Sequence, residues 1–157
     1  PKEMKYVVTE SQYNLIKEEE ILSFPFAFFN SDWGSVLYAM RGRPFIITGD
    51  LILMHQDIIS LGNLQKVTGT LDLEQTKVLY LDQLTYVGKN LDLSWTNLRS
   101  LGNLEYVGEN LDMRGSDIDN FGKLIHVGGN LYLSPYLDEM NDEDIRKDIY
   151  VGGHIRA

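Results

Sequence analysis

Three regularly spaced aspartates, Asp72, Asp92 and Asp112, are the residues of this chain best suited to chemistry. They lie 20 residues apart, each between two large apolar residues. If successive repeats stack as a parallel sheet, the three carboxylates form a row with a spacing of about 4.8 Å. Such a row can hold a metal ion, provide an acid and a base for hydrolysis, or attract a basic partner.

Aromatic and charged residues occupy nearby positions of the same pattern. Trp95 follows Asp92 closely, and Tyr132 stands where the next aspartate would be. Because tryptophan, tyrosine and arginine dominate interface hot spots, this composition favours a binding surface. The open alternative is a solvated acidic face that prevents edge pairing, with Trp95 packed on a neighbouring repeat. The candidate binding residues are Asp72, Glu74, Asp92, Trp95, Asp112, Arg114, Tyr132 and Tyr136.

Motifs typical of other catalytic and cofactor sites are missing from the sequence. The chain has no cysteine, no glycine-rich phosphate loop and no spacing typical of metal ligands. Its three histidines, His55, His126 and His154, stand at different positions of the repeat, so we do not expect them to converge. We therefore predict a protein that is not an enzyme and uses no cofactor or metal.

The overall charge limits the kinds of partner. With 14 basic and 23 acidic residues among 157, the formal charge is −9. Such a chain is repelled by nucleic acid phosphates and by anionic membranes, so we expect neither as a direct partner. No segment has the length and apolarity of a membrane span or of a signal peptide. We expect a cytoplasmic protein.

A 20-residue repeat must position these side chains. Triplets whose first and third residues are apolar recur, each preceded by Val or Ile and in most cases by glycine. The alternation predicts a strand with its middle residue outward, and one repeat cannot bury its apolar stripe alone. We predict one parallel sheet of about six strands, with the glycines before the strands at positive φ. Strands are expected at 51–53, 71–73, 91–93, 111–113 and 131–133, with a sixth copy at 151–155.

Two further columns of the repeat predict contacts between neighbours. An asparagine column is expected to form hydrogen bonds from repeat to repeat. An aromatic column is expected to stack ring on ring rather than to bind a partner. The first column is Asn90, Asn110 and Asn130, and the second is Lys66, Tyr86, Tyr106, His126 and Tyr150.

The segment 101–113, with the sequence LGNLEYVGENLDM, resembles a leucine-rich repeat. More narrowly, it is similar to the short-period units of receptor L domains and of bacterial and phage repeat proteins. The resemblance covers about residues 45–133 and returns at 151–156. It implies a β-rich solenoid of small cross-section that binds a partner, because this family shares an architecture and not one ligand.

The two ends differ from the repeats, and we expect a single folding unit with three parts. Residues 1–44 are predicted as an α-containing N-terminal cap, with a strand at 5–8, a helix from about 9 to 22 that Pro25 ends, and a second short helix before Gly42. Aromatic residues between 24 and 33 would seal the first repeat. Residues 45–133 hold five repeats. Residues 134–157 hold an inserted helix with Asn141 as N-cap and the last repeat.

These observations predict a non-catalytic protein-binding module that acts through its acidic and aromatic strand face. The residues around Met4–Gln12 are similar to the start of many phage-encoded proteins, which implies a host protein as partner and the bacterial host cytoplasm as location. A basic or nucleic-acid-binding protein would suit the charge. One alternative is a structural component of a virion or surface assembly that self-associates through its C-terminal edge. The other is a carbohydrate-active β-solenoid enzyme, since such enzymes also carry carboxylate rows.

Overall fold

The computed structural model describes residues 9–10 and 21–157, whose short strands form two parallel β-sheets. The first sheet has seven strands in the order β1-β2-β4-β6-β8-β10-β12, and the second has six in the order β13-β11-β9-β7-β5-β3. The strands of the first sheet are β1 (Leu22–Pro25), β2 (Phe45–Thr48), β4 (Leu64–Val67), β6 (Tyr86–Val87), β8 (Tyr106–Val107), β10 (His126–Val127) and β12 (Tyr150–Val151). Those of the second are β3 (Leu51–Ile52), β5 (Leu71–Asp72), β7 (Leu91–Asp92), β9 (Leu111–Asp112), β11 (Leu131–Tyr132) and β13 (Ile155–Arg156).

Equivalent residues of successive repeats pair with each other, as the 20-residue period predicts. Leu71 pairs with Leu91 and Leu91 with Leu111, and the last repeat joins through Leu131 and Ile155. The arrangement is that of a β-rich repeat fold and is consistent with a repeat solenoid. The prediction of a single sheet was wrong, because the segments that end on the valine column also pair and form the seven-stranded sheet. Most strands are only two residues long, shorter than the apolar triplets.

The core lies between the two sheets and the turns that connect them. The leucines that flank the strands, Leu91 and Leu93 among them, are buried, as are Leu101 and Val107. This burial confirms the prediction that every repeat contributes one apolar stripe. Stacking hides these side chains because each repeat supplies a wall for the next.

Side-chain hydrogen bonds also join the repeats. Asn90 accepts from the N–H of Asn110 at 3.0 Å, and Asn110 accepts from that of Asn130 at 2.7 Å. Asn130 in turn accepts from the N–H of His154 at 2.8 Å, which carries the column into the last repeat. The predicted asparagine column is confirmed, and it satisfies backbone donors at the bend before each strand.

Most of the glycines that precede the strands of the six-stranded sheet have a different role from the one predicted, although Gly49 does adopt a positive φ, of 83°. Gly108 does not adopt a positive φ, whereas Gly102, at the second bend of the repeat, has a φ of 55°. A side chain at Gly108 would collide with the carbonyl oxygen of Gly88 in the preceding repeat. Glycine is required there because two backbones approach closely, and not because the chain turns left-handed.

The N-terminal region contains a strand where the sequence predicted the end of a helix. The helix expected from about 9 to 22 and the strand at 5–8 lie mostly or wholly outside the described residues, and Leu22, where that helix was expected to end, is the first residue of β1. A 3-10 helix at Phe26–Phe29 follows, and then α1 (Trp33–Met40), whose N-cap Asp32 accepts from the N–H of Ser35. Phe26 and Trp33 are buried against the first repeat, whereas Phe28 is 70 % exposed.

The C-terminal region agrees with the predicted inserted helix. Helix α2 (Asp142–Asp148) begins after its N-cap Asn141, whose side chain accepts from the N–H of Glu143. Arg146 donates from this helix to the carbonyl oxygens of Val151 and Gly153, which ties the insertion to the last repeat. Within residues 9–10 and 21–157, no helix is long and apolar enough to cross a membrane.

Candidate binding surface

The three aspartates lie side by side on the outer face of the six-stranded sheet. Asp72 pairs in register with Asp92, and Asp92 pairs with Asp112. Each is half-buried, since its neighbours in the strand point inward and its side chain points outward. We call these three residues the acidic row. Ile52 continues the column on one side, and Tyr132 continues it on the other.

A local hydrogen bond fixes each carboxylate of the acidic row. The Oδ1 atoms of Asp72 and Asp92 accept from the backbone N–H two residues later, at 3.0 and 2.9 Å, and Asp112 makes the same bond to Arg114 at 3.0 Å. Within the described residues, the Oδ2 atoms of Asp72 and Asp92 accept no hydrogen bond. Two oriented carboxylates therefore each retain one oxygen for a ligand.

Burial and the charge of a neighbouring aspartate change the pKa of Asp72, the first residue of the acidic row. Partial burial raises the pKa of Asp72, and the charge of Asp92 raises it further. The hydrogen bond from the N–H of Glu74 and the charge of His55 act in the opposite direction. An incoming cation would relieve the repulsion between Asp72 and Asp92.

The carboxylates of Asp72, Glu74 and Asp92 form a tight group. Each offers one oxygen, and these oxygens lie within 4.8 Å of one another. Oxygen donors of this kind suit Ca²⁺ or Mg²⁺, which take six or more ligands. Three carboxylates could supply part of such a set, and they equally suit an organic cation.

Trp95 stands directly beside the acidic row and is 62 % exposed. It follows the strand at a left-handed position with a φ of 58°, and Gly115 takes the equivalent position one repeat later with a φ of 72°. The indole lies over Gly115, where a Cβ would come within 2.5 Å of the ring atoms Cδ2 and Cε3. The side chain of Trp95 therefore packs on the neighbouring repeat, and more than half of it stays exposed.

Arg114 is held by two neighbours at once. Its Nε and Nη2 atoms donate to Oδ1 and Oδ2 of Asp112 at 3.0 and 2.7 Å. Its guanidinium carbon lies 4.4 Å from the centre of the Tyr132 ring. The hydrogen bond to Asp112 raises the pKa of Arg114 above its ordinary value. The sequence pattern placed these three residues near each other but did not reveal this arrangement.

A groove of about 440 Å³ connects these features. Of the predicted binding residues, it brings together Glu74, Asp92, Trp95, Asp112 and Arg114, with Ser94 at its wall. Asp72 is adjacent to this groove, because one of its carboxylate oxygens lies within 4.8 Å of those of Glu74 and Asp92. Tyr132 is adjacent to it through its contact with the guanidinium of Arg114. Tyr136 is 65 % exposed, but within the described part of the chain it neither lines this groove nor contacts the residues beside it.

Two serines that follow the strands of this sheet turn their side chains inward. Ser94 is buried, and its hydroxyl donates to Asp92 at 2.6 Å. Ser134 is fully buried, and its hydroxyl donates to the carbonyl oxygen of Ile118. A small hydroxyl side chain can turn inward here because a local acceptor satisfies it.

The aromatic column forms the predicted stack. Tyr86 and Tyr106 lie 4.7 Å apart between ring centres, Tyr106 and His126 4.5 Å, and His126 and Tyr150 4.9 Å. Lys66 lies over the first ring at 5.7 Å. The ring faces are used by neighbouring rings, so a partner would meet mainly their edges.

A second concavity, which sequence reasoning missed, lies on the turns between the two sheets. It has a volume of about 660 Å³ and is lined by residues that include Leu79, Tyr80 and Arg99. Leu79 and Tyr80 are 52 % and 70 % exposed, and no repeat signal marks them because their columns change character from one repeat to the next.

Of these surfaces, the face around the acidic row combines oriented carboxylates, an exposed indole and excess negative charge. It can bind cations by ion pairing and by contact with an aromatic face. No protein-family model matches this chain, and neither the curated proteins nor the solved structures contain a match to it.

Proposed function

We propose that this protein is a non-catalytic protein-binding module that holds a basic partner on its acidic-aromatic face. This face comprises the acidic row together with Glu74, Trp95, Arg114 and Tyr132. The observation that carries the proposal is the position of Trp95, an exposed indole in the same groove as Asp92, whose Oδ2 atom accepts no hydrogen bond within the described residues. Tryptophan in such a setting is the residue most enriched in interface hot spots.

Electrostatics supports a basic partner. The chain carries a formal charge of −9, and the groove is lined by three carboxylates and one guanidinium, which leaves two negative charges in excess. Complementary charge speeds association and excludes partners of like charge. A basic protein that itself binds nucleic acid suits this negative charge, because its basic surface could contact these carboxylates in place of nucleic acid phosphates.

The equivalence of the aspartates favours binding over hydrolysis. Asp72, Asp92 and Asp112 occupy equivalent positions in register and accept the same local hydrogen bond, although burial raises the pKa of Asp72 and Arg114 pairs with Asp112. This repetition suits an extended interface, in which successive repeats contribute similar groups.

We further propose that the repeats close into a solenoid of the short-period leucine-rich-repeat type. The parallel sheets, the buried leucine columns and the asparagine column support this assignment. A phage origin, a host protein as partner and a location in the host cytoplasm are part of the same proposal. They depend on the N-terminal sequence similarity alone, at residues that lie mostly outside the described part.

Differential capture from a bacterial lysate tests the proposed surface. The bait proteins are the unmodified chain, Trp95→Ala and the double variant Asp72→Asn/Asp92→Asn. Matched controls are Tyr80→Ala, an exposed aromatic on the other concavity, and Asp82→Asn/Asp119→Asn, which removes the same charge elsewhere. We expect a basic protein that both face variants lose and both controls retain.

Two results would contradict the proposal. If all five baits capture the same proteins in equal amounts, the binding site does not lie on this face. Self-association that persists in the face variants, measured as the mass in solution, would instead favour the structural component predicted as the alternative.

A further inference from the structure

We infer that the groove beside Trp95 is a guanidinium subsite that takes an arginine side chain of the partner. The inference rests on the proposed function and adds the chemistry of the group that this face recognises. Its ligand would insert between the indole of Trp95 and the carboxylates of Glu74 and Asp92, which line one groove.

The chain itself shows how this face holds a guanidinium. Arg114 makes a two-pronged ion pair with Asp112, and its guanidinium carbon lies 4.4 Å from the centre of the Tyr132 ring. Each contact uses the planar fork and the delocalised charge of arginine. A carboxylate of the acidic row and an aromatic ring of the next repeat therefore already form a guanidinium clamp.

One repeat earlier, the same two kinds of group are present without an arginine of the chain. Asp92 stands at the position of Asp112, and its Oδ2 atom accepts no hydrogen bond within the described residues. The residue equivalent to Tyr132 is Asp112, so the aromatic surface would come from Trp95, three residues after Asp92 in the chain. The position equivalent to Arg114 is Ser94, which is buried and leaves the groove open.

Charge and shape select arginine over lysine. Three carboxylates line the groove against the single charge of Arg114, so a second cation is accommodated. A guanidinium can bridge two carboxylates and stack on an indole at once, whereas an ammonium is a compact and strongly hydrated charge. Asp72 and Glu74 extend the acidic wall, since their oxygens lie within 4.8 Å of that of Asp92.

Arg114 is expected to weaken the subsite that it borders. Its positive charge lies at the wall of the groove and occupies both oxygens of Asp112. Replacing it by glutamine keeps a hydrogen-bonding side chain and removes the charge. The variant Arg114→Gln should therefore bind an arginine ligand more tightly than the unmodified protein.

Nuclear magnetic resonance of the two tryptophan indole N–H groups provides a direct test. Trp95 is exposed in the groove, while Trp33 is 3 % exposed and donates to the carbonyl oxygen of Ser60 at 2.9 Å, so it is an internal control. The probes are capped pentapeptides with one central arginine, lysine or glutamine between glycines. We expect the arginine peptide to shift the Trp95 signal alone, with an affinity roughly two- to fivefold above that of the lysine peptide, the range of an exposed cation–aromatic contact.

The variants decide where the preference arises. Asp92→Asn should abolish the preference for arginine, Arg114→Gln should raise the affinity, and Asp119→Asn should change neither. Equal affinity for arginine and lysine, or a Trp95 signal that does not respond, overturns the inference. If the face variants still lose the captured partner in that case, the proposed function stands without an arginine subsite. If the captured partner is also unaffected, both are wrong.

Discussion

The indole of Trp95 occupies the space in which a side chain at Gly115 would stand, one repeat further along the stack. Gly115 has a φ of 72°, so an L side chain there would be strained as well as obstructed. This contact fixes the exposed ring against the backbone before any partner arrives. An anchor held in this way loses little conformational freedom on binding.

Removing this anchor should weaken binding without unfolding the protein. We expect Trp95→Ala to reduce the affinity for the captured partner by at least about 2 kcal/mol, the size of a hot-spot truncation. Gly115→Ala should also reduce it, because the ring must leave its position. Isothermal titration calorimetry measures both, and Tyr80→Ala is the control for the loss of an exposed ring. Full affinity in Trp95→Ala would exclude the indole from the interface.

The charges of the acidic row should act mainly on the rate of association. In Asp72→Asn/Asp92→Asn we expect slower association and a weaker dependence on salt, because exposed charges steer a partner over distances comparable to the screening length. Asparagine keeps the acceptor for the local backbone hydrogen bond. Stopped-flow measurements at low and high salt test this. Steering by the acidic row would be contradicted if the double variant changed only the dissociation rate. It would also be contradicted if Asp82→Asn/Asp119→Asn slowed association equally.

The raised pKa of Asp72 predicts how stability depends on pH. Because the folded protein favours protonated Asp72, its ionisation lowers stability as pH rises from the ordinary value of 3.8 through the raised value. Asp72→Asn removes this loss, so we expect the variant to be more stable at neutral pH, by less than about 1 kcal/mol because solvent screens the group. The difference in stability between the variant and the unmodified protein should vanish at a pH below the ordinary pKa of Asp72. Urea unfolding near pH 7 and near pH 3 provides the comparison, and a variant that is less stable only at neutral pH would contradict it.

Two glycine-to-alanine changes should have opposite effects on stability. Gly108→Ala should destabilise the protein by about 1–3 kcal/mol, since the new methyl group meets the Gly88 carbonyl oxygen and the stack must shift. Gly34→Ala should stabilise it by about 0.5–1 kcal/mol, because this residue lies in α1 with open space around its Cα. Thermal and urea unfolding measure both. Equal effects of the two changes would show that the backbones do not approach as described.

A central leucine should matter far more than an exposed one. Leu101 is fully buried between neighbouring repeats, and we expect Leu101→Ala to cost about 2–5 kcal/mol in unfolding free energy. Leu79→Ala is the matched control, because Leu79 is 52 % exposed and should change stability by no more than about 0.5 kcal/mol. Comparable losses in the two variants would be inconsistent with the stacked core.

The period of the sequence was enough to predict the stacking. Residues 20 apart, such as Leu91 and Leu111, pair because repeats with the same apolar positions can bury them only against each other. The same period predicted the acidic row, the asparagine column and the aromatic stack. It could not show that the valine segments form a second sheet, because two-residue strands have too little alternation to be recognised.

The binding surface needed the tertiary structure in addition. The sequence placed Trp95, Asp92 and Asp112 on one face, since side chains of equivalent positions share a side of the stack. Only the structure showed the indole seated over Gly115 and Arg114 clamped between Asp112 and Tyr132. Positive φ values and rotamers are set by contacts between repeats, which a one-dimensional period does not encode. The repeat therefore determined which residues are neighbours, and packing between repeats decided which of their atoms remain open to a partner.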